Sequence, residues 1–100
     1  MLFRSSAALS TDNFLLEEFE IKVFPNPTTN FINIQFIGNN EQVKISLYNT
    51  IGAIVKEVTN KKYSALKHTL HVDVKNLPKG NYFVHYQSKG ISKTKKLLKY

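Results

Sequence analysis

With 100 residues and no cysteine, the chain is one domain at most, and disulfides, cysteine nucleophiles and cysteine-based metal sites are excluded. Its apolar runs reach only three or four residues, too short for a membrane-spanning helix. Charge is divided unevenly: residues 1–20 carry one Arg and four acids, net −3, whereas residues 21–100 carry thirteen Lys and three acids, net +10.

Residues 1–20 combine Ser5, Ser6, Ser10, Thr11, Asp12 and Asn13 with Phe14-Leu15-Leu16-Glu17-Glu18-Phe19. They read as a flexible tether, with a helical turn capped by Thr11 or Asp12 as the alternative. Met1–Leu9 is too short and polar for a secretory signal peptide, so an inner-membrane export signal is expected on a longer parent chain. Ile21–Phe24 is a short extended run. It meets Pro25 and Pro27, which have no N–H for a ladder and push Phe24 and Asn26 towards extended geometry. Thr28, Thr29 and Asn30 then supply turn chemistry.

Beyond this bend the pattern is β throughout. Phe31–Ile37 sets Ile32, Ile34 and Phe36 on one face against Asn33 and Gln35 on the other. Gly38-Asn39-Asn40 is a turn. Val43, Ile45 and Leu47 alternate with Lys44, Ser46 and Tyr48. Asn49-Thr50-Ile51-Gly52 is a hairpin connection, with Gly52 at a positive-φ position. Ala53–Thr59 is a third, less regular strand, and Asn60–Lys67 reads as a polar connection. Leu70, Val72 and Val74 alternate with His71 and Asp73. Lys75–Gly80 is a turn. Asn81–Ser88 sets Tyr82, Val84 and Tyr86 opposite Phe83, His85 and Gln87. Ser88-Lys89-Gly90 is a tight turn, and Ile91–Tyr100 is the last strand. With Ile21–Phe24 this makes seven short strands, the pattern of a seven-stranded antiparallel Ig-like β-sandwich, with a small open barrel as the alternative.

Signatures of catalysis are missing: there is no Gly-x-Ser-x-Gly elbow and no Gly-rich phosphate loop. No enzymatic activity and no cofactor are expected. His71 and His85 could share a metal if their strands were neighbours, with Asp73 the only third ligand; surface histidines are the favoured reading. The aromatics are read as core residues rather than a base-stacking platform. Tyr82, two residues after Gly80, has the spacing of a tyrosine corner, a stabilising feature of sandwiches.

The last strand carries Lys93, Lys95, Lys96 and Lys99. Buried unpaired ammonium groups are costly, so it is expected at a sheet edge, lysines outward, with Ile91 and one or both of Leu97 and Leu98 inward. A basic module of this kind would attract anionic partners; the plainer account is that its lysines keep exposed faces soluble and blunt the edges.

Five pieces in order resemble one family. They are Val23-Phe24-Pro25-Asn26-Pro27; Ile32-Asn33-Ile34; Val43-Lys44-Ile45-Ser46-Leu47-Tyr48-Asn49 with Gly52; Leu77-Pro78-Lys79-Gly80-Asn81-Tyr82; and Lys95-Lys96-Leu97-Leu98-Lys99. Together they resemble the type A C-terminal sorting domain of cargo for the type IX (Por) secretion system of Bacteroidetes-type bacteria, over about residues 20–100. The resemblance implies a non-catalytic export address. Its implied partners are the outer-membrane translocon and shuttle components, a sortase-like cysteine protease that cuts the tether at the surface, and an N-terminal cargo domain. No nucleic acid and no transmembrane segment are expected. The implied location is the periplasm in transit, then the cell surface or the medium. The motif residues carried over are Pro25, Asn26, Pro27, Gly52, Gly80 and Tyr82, with the C-terminal lysines. The rival is a free-standing Ig-like module whose basic face binds an anionic glycan or nucleic acid.

Overall fold

The computed structural model describes residues 21–100, so the expected tether falls outside the described residues. Seven strands follow one another: β1 (Lys22–Phe24), β2 (Phe31–Ile37), β3 (Glu41–Asn49), β4 (Ile54–Tyr63), β5 (Lys67–Asp73), β6 (Gly80–Ser88) and β7 (Ile91–Lys99). There is no helix among the described residues. The strands form two antiparallel sheets, ordered β1-β2-β5 and β4-β3-β6-β7. This is the all-β sandwich that the alternation requires, with the fourth strand beside the third.

The alternation dictates the core. Ile32, Ile34 and Phe36 of β2 and Val72 of β5 meet Val43, Ile45 and Leu47 of β3, Val84 and Tyr86 of β6, and Leu97 of β7. Each large apolar side chain buried in this way contributes about 1.5–3 kcal/mol. The Phe36 ring ties the sheets together, with its centroid 5.1 Å from Tyr63 and 5.9 Å from Tyr86.

One end of the sandwich is pinned by two stacked connections. The Gly38 N–H donates to the Leu66 carbonyl at 3.0 Å, and the Asn40 N–H to the Tyr63 carbonyl at 2.8 Å. The Asn40 side chain accepts from the Ala65 N–H at 3.1 Å. A Cβ on Gly38 would stand 2.0 Å from the Ser64 carbonyl oxygen, so only glycine fits there.

The expected polar connection over Asn60–Lys67 is corrected. Asn60–Tyr63 continues β4, pairing from Lys44↔Asn60 to Glu41↔Tyr63, and Lys67 already belongs to β5. Among the described residues β4 has only one neighbouring strand, so it needs little apolar surface. Its register also shifts at Ile45/Ser46 and Leu47/Tyr48, which breaks the period that would mark it as a strand. A second correction concerns the aromatics. Phe36, Tyr63, Tyr82 and Tyr86 are core, but Phe24 and Phe31 remain 41% exposed.

Candidate functional site

The segment between β1 and β2 is applied to the outer edge of β7. Both X–Pro bonds, Phe24–Pro25 and Asn26–Pro27, are cis. Between them Asn26 turns its side chain onto β7. Its Nδ2 donates to the Lys96 carbonyl at 2.8 Å, and its Oδ1 accepts from the Leu98 N–H at 3.0 Å. A primary amide presents one donor and one acceptor side by side, as a peptide unit of a neighbouring strand would. Thr28 continues the pairing with its own backbone. Its N–H donates to the Leu98 carbonyl at 3.0 Å, and its carbonyl accepts from the Tyr100 N–H at 2.8 Å. The result is an isolated parallel bridge between Thr28 and Lys99.

Thr28 is the residue that sequence reasoning missed. Its sequence context predicts turn chemistry, yet it is 3% exposed, and its hydroxyl donates to the Phe31 carbonyl. Its only sequence signal is a Thr directly after the second Pro. Asn26 and Thr28 join β7, in one sheet, to the connection leaving β1, in the other. A groove of about 270 Å³ remains between them, lined by Ile21, Lys22, Val23, Asn26, Lys95 and Lys96.

β7 is an edge strand, as its charge demands. Its lysines, however, do not all point outward. Ile91, Lys93, Lys95, Leu97 and Lys99 share the side that faces the core, and burial increases along it until Leu97 is fully covered and Lys99 is 6% exposed. The Lys99 Nζ donates to the Tyr100 main-chain oxygen at 3.1 Å. Lys96 stands exposed on the other side. The reason is the two-residue period: Leu97 points inward, and Lys93, Lys95 and Lys99 have its parity. Long aliphatic stems let Lys93 and Lys95 cover the rim of the core while staying half-buried.

The backbone of β7 is likewise only half open. Lys96, Leu98 and Tyr100 present outward groups that Asn26 and Thr28 occupy. By the same alternation the outward groups of Ser92 and Thr94 face no strand among the described residues.

The other motif residues fall into two groups. Gly80 opens β6 at φ 145° and pairs with Lys99, while Tyr82 pairs with Leu97, so both lie beside the C-terminal strand. The Tyr82 hydroxyl donates to the Pro78 carbonyl at 2.6 Å, the hydrogen bond of a tyrosine corner. Gly52 does not join them. It sits in the β3–β4 turn at φ 87°, where the Asn49 side chain accepts from the Ile51 and Ala53 N–H groups.

His71 and His85 lie in different sheets, so the shared metal considered from sequence does not form. His71 bonds Asn33 at 2.9 Å, and His85 contacts Thr94 and Ser92. Among the described residues no three His, Cys, Asp or Glu side chains converge, and no helix is long and apolar enough to cross a membrane.

Comparison with known proteins gives one family. The family of secretion system C-terminal sorting domains matches residues 22–100. A search of curated proteins finds no match.

Proposed function

Because the chain belongs to the family of type IX secretion C-terminal sorting domains, we propose that residues 21–100 address an N-terminal cargo to the outer-membrane translocon. The observation that carries this reading is the family match, which spans all seven strands. The domain does no chemistry itself. Shuttle components and the translocon bind it in the periplasm, and a sortase-like cysteine protease then cuts the acidic segment before Ile21. The cargo ends at the cell surface or in the medium.

The surface read by the machinery is the C-terminal edge. Three features support this: the Pro25-Asn26-Pro27 motif applied to β7, the outward Lys96 beside it, and the outward groups of Ser92 and Thr94, which face no strand among the described residues. Exposed lysines near an open edge discourage self-pairing and favour an acidic receptor strand or surface. Fusion of residues 10–100 to a periplasmic reporter, in a host with type IX secretion, tests the reading. The reporter should reach the surface, and a reporter that stays in the periplasm would refute it.

A further inference from the structure

The sandwich has a second lateral side, and it is built in the opposite way. The β1/β7 side is bridged by Asn26 and Thr28. On the far side β4 and β5 end their sheets, and neither has a strand beyond it among the described residues. Between them runs a groove of about 450 Å³, with Lys56, Val58 and Lys61 on one wall and Leu70, His71 and Asp73 on the other. The core residue Tyr63 closes one end, and the Lys61 ammonium sits 5.3 Å from its ring centroid. Ile54 and Val55, at the other end of β4, are 52% and 36% exposed. β4 is also the longest strand, with ten residues, seven of them exposed and one buried.

We propose that β4 accepts an added strand from a protein partner, an extended segment carrying carboxylates at alternate positions. The inference does not rest on the sorting reading. A free edge offers a row of backbone donors and acceptors at the spacing an extended chain requires. Charge selects the occupant. Lys56 and Lys61 line the groove and Lys62 stands exposed on the same strand, three cations against two carboxylates, Asp73 in the groove and Glu57 on β4. A second copy of β4 would set lysines against lysines, a known safeguard against edge-to-edge pairing. An acidic strand turns the same side chains from a barrier into an attraction, and Val58 and Leu70 give its alternate side chains apolar contact.

The test uses the full, ¹⁵N-labelled chain and an acetylated, amidated nonapeptide that alternates Glu with Val and Thr. Amide shifts should move, and hydrogen exchange should slow, within Ile54–Tyr63. Lys56→Glu with Lys61→Glu should weaken binding about tenfold, and the same peptide with Lys in place of Glu should not bind. Equal binding of the Lys peptide, shifts centred on β7, or no shifts at millimolar peptide would overturn the proposal. So would shifts in β4 when Glu17, Glu18 and Glu20 are replaced by Gln without any peptide, since the chain's own leader would then be the occupant. Loss of the β4 signals on concentrating the protein alone would overturn it in favour of a second copy.

Discussion

Asn26 and Leu98 are joined by a hydrogen bond of 3.0 Å across 72 residues of sequence. Through it, a side chain from the first connection takes the place of a neighbouring strand along β7, where none lies among the described residues. Asn26→Ala removes this bond and the one to Lys96. At about 0.5–1.5 kcal/mol each, for a site open to water, the loss should be roughly 1–2 kcal/mol. Urea unfolding measures it. The Leu98 amide should also exchange faster, while the Tyr86 amide in the sheet interior keeps its protection relative to global stability.

Gly38 and Gly80 should respond differently to alanine. At Gly80 no described residue lies within 4 Å of a new Cβ, so the cost is conformational, about 1–2 kcal/mol for φ 145°. At Gly38 the Cβ would meet the Ser64 carbonyl at 2.0 Å, and backbone must move. Overpacking costs about 1–3 kcal/mol. Gly38→Ala should therefore be the more damaging of the two, with a lower thermal midpoint.

Tyr82→Phe deletes only the hydroxyl that donates to Pro78. The ring stays buried and the core volume is kept. The expected loss is roughly 0.5–1.5 kcal/mol. An unchanged denaturation midpoint would show that this hydrogen bond contributes nothing to stability.

Burial pushes the Tyr86 phenol above its ordinary value of 10.0, and the nearby Ser88 hydroxyl draws it partly back. The unfolded chain ionises this group at about pH 10, so the fold favours the neutral phenol. Its contribution is whole below about pH 10 and is lost as pH rises through the folded-state value. Tyr86→Phe should flatten the fall in urea midpoint between about pH 9 and pH 11. An identical fall in both proteins would contradict the assignment.

Strands with two neighbours were legible because one face of each is buried. β2 and β6 show their period directly, as in Ile32-Asn33-Ile34 and Tyr82-Phe83-Val84. The second half of β4 was not, because Asn60-Lys61-Lys62 faces water from an edge and is carried by ladder bonds and the Gln42–Asn60 contact rather than by apolar burial. On β7 the parity of Ile91 and Leu97 was present in the sequence. The expectation that ammonium groups avoid the interior overrode it, and Lys99 is the exception that follows. The pairing of Asn26 with β7 leaves no local trace: Pro-Asn-Pro announces a bend, and what the bend delivers depends on a strand 70 residues away.

The most direct test of the C-terminal edge as the sorting surface is export of a reporter fused to residues 10–100 and carrying Lys96→Glu, the exposed outward lysine, leaving the inward-facing Lys93, Lys95 and Lys99 intact. A control carries Lys67→Glu with Lys75→Glu, two exposed lysines elsewhere. The control should reach the cell surface. The β7 variant should accumulate in the periplasm with a thermal midpoint near that of the parent domain, because such surface substitutions usually change stability by no more than about 0.5 kcal/mol. Export of the folded β7 variant at the parental level would contradict the account.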